Sequence, residues 1–165
     1  MTYTNTKKIE AVCFTGHREI SRKFAYKIPT AIKSVMEDFI ARGAKRFRIG
    51  GAMGFDTIAA LCVIELKEKY PDITLELILP CRNQTRGWSE TSIKVYNYIL
   101  KHASLVEYVS EKYTRYCMHE RNRALVNESQ ALIAFCTRST GGSAYTYGYA
   151  LEKGLEVINI YDMVK

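Results

Sequence analysis

Three clusters in this chain have the residue types and spacing to hold a negatively charged ligand. Gly50-Gly51-Ala52-Met53-Gly54-Phe55-Asp56 sets three glycines between a strand-like run and a helix-like run. Glycine there permits positive φ and close backbone approach. The free N–H groups that open the helix then point at whatever lies over the turn, usually an anion. The spacing is neither the dinucleotide fingerprint nor a P-loop. Thr137-Arg138-Ser139-Thr140-Gly141-Gly142-Ser143 is a second glycine turn, and Thr15-Gly16-His17-Arg18 is a shorter polar one. Arg18 offers a fork for phosphate or carboxylate. His17 can donate to a phosphate, transfer a proton, or pin the turn by bonding backbone. Asp56 can grip a ribose hydroxyl, serve as a base, or cap the helix that follows it. Trp88, the only tryptophan, can stack on a base or fold onto the core as a lid.

These turns make one site only if strands hold them along one edge. Runs 9–14, 46–49, 75–80, 105–109, 131–136 and 157–160 read as strands. Ile28, Ile32, Val35, Met36 and Phe39 mark one helical face, and Ala59, Cys62, Val63 and Leu66 mark another. Further helices are expected over 90–101 and 113–128, and from Ala144 to about Gly154. Strict alternation of the two element types predicts βα units: a single Rossmann-like α/β domain, with a mostly parallel sheet and helices on both faces. Each polar turn follows a strand, including Pro80 to Trp88 with Arg82, Asn83, Gln84 and Arg86. In a parallel sheet all four then lie on one edge, where ligands bind at the reversal of strand order. Asn122 shares an inward stripe with Met118 and Leu125, and Arg121 beside it can reach the same pocket.

Composition narrows the class. The chain has 165 residues, 47% hydrophobic and 25% charged, as expected of one soluble globular domain. Residues 1–8 read as a polar tail and 9–165 as the domain. No run approaches membrane-spanning length and no signal peptide is visible, so a cytoplasmic protein without a membrane partner is expected. Five cysteines, odd in number and with no CxxC pair, suggest neither a metal site nor a disulfide framework. Cys13, Cys62 and Cys136 fall on apolar faces; Cys81 lies at a site edge and is read as structural. The net charge of +7 is uneven: residues 1–48 carry 11 Lys/Arg against 4 Asp/Glu, the remainder 13 against 13. That excess suits a phosphorylated ligand or nucleic acid, or, for Lys23, Lys27 and Lys33, a solvated helix. There is no evident nucleophile–base pair, and no cofactor is implied. The tyrosine-rich helix around Tyr145, Tyr147 and Tyr149 is a candidate contact surface for a homo-oligomer.

Thr15 to Arg18, Gly50 to Asp56, the Pro80 to Trp88 segment and Arg121-Asn122 together resemble the YpsA-like family of the SLOG superfamily, which groups DprA/Smf with LOG proteins. The likeness runs from about Ile9 to Ile160. It implies a Rossmann-like sheet and a site for nucleotides or nucleotide-derived ligands. On that basis Thr15, Gly16, His17, Arg18, Gly50, Gly51, Gly54, Asp56, Trp88, Arg121, Asn122, Gly141, Gly142 and Ser143 form the expected ligand set, in a sensor or binding module. Resemblance to LOG proteins implies an alternative, a phosphoribohydrolase that releases a base from a nucleoside monophosphate. Their Pro-Gly-Gly-x-Gly-Thr-x-x-Glu motif is matched here by Thr140 to Gly148, which keeps the glycine pair but has Thr140 in place of the proline, Ala144 in place of the third glycine and Gly148 in place of the glutamate. Asp56 or Glu120 would then supply the carboxylate. Resemblance to DprA implies a third reading, binding of single-stranded DNA.

Overall fold

The computed structural model describes residues 7–165. Most of the expected 1–8 tail therefore lies outside the described residues; Lys7 and Lys8 are exposed and belong to no element. Six strands form one sheet: β1 (Ala11–Gly16), β2 (Arg46–Ile49), β3 (Thr74–Cys81), β4 (Leu105–Ser110), β5 (Ala131–Phe135) and β6 (Glu156–Asn159). Their order is β4-β3-β2-β1-β5-β6, and all five pairings are parallel. This is the expected Rossmann-like architecture. β1 starts two residues later than the sequence suggests and runs on into the Thr15-Gly16 turn, where Gly16 pairs with Phe135.

Hydrophobic patterning explains the layers. β5 is buried along its whole length, as a central strand covered on both faces must be. On one face lie α1 (Arg22–Ala25), α2 (Ile28–Ala41), α3 (Phe55–Lys69), α4 (Glu90–His102) and α7 (Tyr161–Val164), packed around Phe14, Phe47, Phe55 and Phe135. On the other lie α5 (Cys117–Asn127) and α6 (Gly142–Glu152), over a smaller core of Cys13, Ile78, Leu132 and Ala134. Ile28, Ile32, Val35, Met36 and Phe39 all turn inward from α2, and Gly43 at φ 102° breaks that helix where expected. The four-residue α1 and α7 are too short to show a period in the sequence. Cys13 and Cys62 are buried; Cys136 is not fully so, because it lies just past β5 in a loop, its thiol 3.1 Å from the Arg138 carbonyl. No helix among the described residues is long and apolar enough to cross a membrane.

The route of the chain places the site. From β1 it moves outward through β2 and β3 to β4, then α5 carries it back so that β5 lies against the free side of β1. Strand order therefore reverses between β1 and β5. The loops leaving these two strands part to opposite faces and leave a crevice.

Candidate functional site

That crevice is a cleft of about 370 Å³. Its walls are the β1 end with Thr15, Gly16, His17 and Arg18, the β5–α6 turn with Gly141, Gly142 and Ser143, and the inner stripe of α5 with Arg121 and Asn122; Ala52 and Asp56 reach it from the β2–α3 turn. These residues, distant in sequence, are brought together on one rim. Glu19, Met118, Arg138 and Thr140 also line it, outside the expected ligand set. Arg138 was legible as a cation inside a glycine turn. Nothing in the sequence marked Glu19.

The three N-terminal glycines of the β2–α3 turn contribute differently from the expectation, since none of Gly50, Gly51 and Gly54 lines the cleft. Each is a packing point. A Cβ on Gly54 would collide with the Arg18 carbonyl, and its φ of 76° disfavours any other residue. That contact, with the Phe55 N–H donating to the His17 carbonyl at 3.1 Å, locks the β2–α3 turn against the β1 end. A Cβ on Gly50 would strike the Arg121 guanidinium, and on Gly51 the Leu79 side chain. The open helix start is the other one. Gly141 caps α6 at φ 101° with no side-chain hydrogen bond, and a Cβ on Gly141 or Gly142 would meet nothing within 4 Å. Uncapped N–H groups at the edge of a cleft are what an anion needs.

Charge converges there. Arg121 is only 6% exposed. Its Nε donates to Asn122 Oδ1 at 2.8 Å and its Nη1 to the Gly50 carbonyl. Arg18, at the exposed mouth, has Nη2 3.7 Å from Met118 Sδ, and Arg121 Nη2 is 3.8 Å from the same sulfur. Burial lowers the Arg121 pKa, opposed by the charge of Asp56. Burial likewise raises the Asp56 pKa, against Arg121, the Ala52 N–H and Arg18. Asp56 Oδ2 accepts the Ala52 N–H at 3.1 Å, which ties the glycine turn together; the α3 N-cap is Gly54.

His17 pins two loops. The Thr137 N–H donates to its Nε2 at 2.9 Å, and the Thr137 hydroxyl lies 3.0 Å from the same nitrogen, an arrangement that favours the neutral ring. Burial, then the nearby Arg138, lower its pKa. The linkage has a definite sign. The unfolded chain takes up the proton more readily, so the stability His17 contributes is complete above the free imidazole value of about 6.5 and is lost as pH falls through the lower folded value. An NMR titration should give His17 a midpoint below that of a free imidazole. His17→Ala should cost about 0.5–1.5 kcal/mol at neutral pH, read by chemical denaturation, as the Thr137 N–H loses its acceptor.

Trp88 and Glu120 lie elsewhere. Trp88 packs edge-on to Tyr96, ring centroids 5.5 Å apart, against the core. The loop that carries it leaves β3, two strands from β1, and Trp88 is not among the residues that line the cleft. Glu120 is exposed on α5 and lines a separate depression with Tyr116, His119, Arg123 and Tyr145.

The family model YpsA, described as the YspA SLOG family, matches residues 12–163. The chain belongs to this family. A UPF0398 protein of Bacillus thuringiensis (strain Al Hakam) is 28% identical over 138 residues, covering 81% of this chain and 74% of the relative. A UPF0398 protein of Bacillus anthracis (strain A0248) is 27% identical over the same length and coverage. Among solved structures, the DNA processing protein A (DprA) of Streptococcus pneumoniae matches with a TM-score of 0.66 at 18% identity, over 91% of this chain and 50% of that one, so this SLOG chain spans half its length. The Helicobacter pylori DprA, described for its single-stranded DNA binding mode, matches at 0.55 and 20% identity, over 94% and 78%. A structural-genomics target, TM1055, matches at 0.58 and 13% identity, over 90% and 72%. At such identities these structures share the fold.

Proposed function

We propose that this SLOG chain binds a nucleotide or nucleotide-derived small molecule in the β1–β5 cleft, as a sensor or binding module. The observation that carries this is the uncapped Gly141-Gly142-Ser143 start of α6 facing a cleft that also holds Arg18, Arg121 and Arg138. The α6 N–H groups and Arg18 hold phosphate; Thr15, Asp56 and Asn122 orient the sugar or base. Five unpaired cysteines suit a reducing compartment, and we assign the protein to the cytoplasm.

A nucleotide panel read by thermal shift tests it. A ligand present at a hundredfold excess over its Kd stabilises the fold by about 2.7 kcal/mol. For a domain of this size that is a rise in Tm of roughly 5–10 °C. Arg18→Ala should abolish most of the rise, since the side chain is exposed and its removal spares the fold. A panel in which no nucleotide moves the Tm would sink the proposal. The same incubations, assayed for free base, address the hydrolase alternative; release of base lost in Asp56→Ala would favour it over a sensor.

A further inference from the structure

Beside the cleft, on the outer side of α5 and α6, lies the depression of about 380 Å³ that contains Glu120. Its walls are aromatic. Tyr116, the α5 N-cap residue, is 60% exposed, and Tyr145, on the first turn of α6, lines the depression with it. Tyr145 is held firmly. Arg123 Nε donates to its hydroxyl at 2.8 Å, the His119 ring meets it edge-on at 4.8 Å, and Tyr149 lies parallel to it, 4° between planes and 6.3 Å between centroids. Arg115 sits over the Tyr116 ring at 5.5 Å. Two tyrosine rings, a carboxylate and a guanidinium lining one depression suit a flat heterocycle. The exposed Tyr116 ring can stack on a base and Tyr145 can pack against it, Glu120 can accept from an amino group, and Arg123 can donate to a ring carbonyl.

The depression adjoins the cleft through shared helices. Arg121 and Asn122 face the cleft while Glu120 and Arg123 face the depression; Gly142 opens the cleft, and Tyr145, three residues on, lies along the same side of α6. We infer that the depression is a second nucleobase subsite, so that the preferred ligand carries two bases joined through phosphate, with the phosphate on the α6 N-terminus between them. This rests on the cleft reading above and adds the ligand class.

Calorimetric titrations of the full chain decide it, using adenine, guanine, cytosine and uracil series. Each series contains the 5′-monophosphate, the pyrophosphate-linked dinucleotide and a 5′-phosphorylated four-residue single strand. In at least one series a two-base ligand should bind roughly tenfold to a hundredfold more tightly than the mononucleotide. Tyr116→Ala and Tyr145→Ala should each remove that advantage and leave mononucleotide affinity within about twofold, while Tyr145→Phe, which keeps the ring, should retain it. Preference for the dinucleotide or the strand identifies the source. Mononucleotide binding with no two-base advantage, or an advantage untouched by both alanine variants, overturns the inference and leaves the cleft reading standing. Failure of every ligand overturns both. If either alanine variant instead changes the sedimentation of the ligand-free protein, the tyrosines cover a second copy of the chain and the inference falls.

Discussion

Gly142→Asp should abolish binding of phosphorylated ligands while leaving the protein at least as stable as before. Gly142 is the first residue of α6, its φ is not in the left-handed region, and a Cβ there meets nothing within 4 Å. An aspartate at this position suits the helix dipole and contributes about 0.3–1 kcal/mol. Replacing glycine within a helix adds to that. For the ligand the sign is opposite. Two unit charges about 4 Å apart at an effective dielectric constant of about 20 repel by about 4 kcal/mol. Even halved by salt, that is a loss of at least roughly thirtyfold in affinity. Gly142→Ala, equally accommodated but neutral, should keep most of the binding. Melting curves and titrations on the three proteins separate the effects. An aspartate variant that still binds nucleotides as tightly as the parent places the phosphate somewhere other than on α6.

The choice of α6 over α3 could not be made from the sequence. Both helices are preceded by glycine runs, and both runs follow strands, so both qualified as anion sites. Packing separates them: Gly50, Gly51 and Gly54 spend their missing side chains on Arg121, Leu79 and the Arg18 carbonyl, whereas Gly141 and Gly142 face open space. A glycine taken up by close packing and a glycine that faces open space look alike in a string of letters. Trp88 illustrates a second limit. Its loop does follow a strand, and the edge is the right one, but lateral strand order decides which loops meet. Periodicity reports a strand's faces and not its neighbours. Glu120 shows a third: it lies two residues, about 200° of helix rotation, from both Met118 and Asn122, so it leaves the inward stripe. What was legible was local and repetitive, namely strand and helix alternation, the α2 stripe, the buried β5 run and the glycine turns. Tyr145 was legible as part of a tyrosine-rich helix, but its contacts with His119 and Arg123 were not, because those partners come from another helix.

A second large effect is expected far from the cleft, at Glu76. This β3 carboxylate is 7% exposed and lies between two arginines of β2. Arg46 donates to it through Nε at 2.8 Å and Nη2 at 3.0 Å, and Arg48 through Nη1 at 2.7 Å. Arg48 is itself 3% exposed, and its remaining contact is Nη2 to the Ala124 carbonyl of α5 at 3.5 Å. Glu76→Gln keeps the shape and removes the charge, leaving a buried guanidinium with no counter-ion. Breaking such a pair costs about 3–5 kcal/mol, a large share of the roughly 5–15 kcal/mol that holds a domain folded. Denaturant titration at neutral pH should show the midpoint fall accordingly. Adding Arg48→Met should return much of the loss, since it removes the charge left without a partner. The pH dependence follows from the same arrangement. Burial pushes the Glu76 pKa up, but hydrogen bonds and charge from Arg46 and Arg48 outweigh it and hold the carboxyl below its usual range. A depressed carboxylate contributes stability that is complete above its unfolded pKa of about 4.3 and disappears as pH falls through the folded value. The gap between parent and Glu76→Gln should therefore be widest at neutral pH and close in acid. A gap that persists at a pH where the carboxyl is protonated in both states would assign the loss to packing rather than charge. Because Arg48 also bonds α5, and α5 carries Arg121 and Asn122 into the cleft, the ion cluster under the sheet anchors the helix on which the binding reading depends.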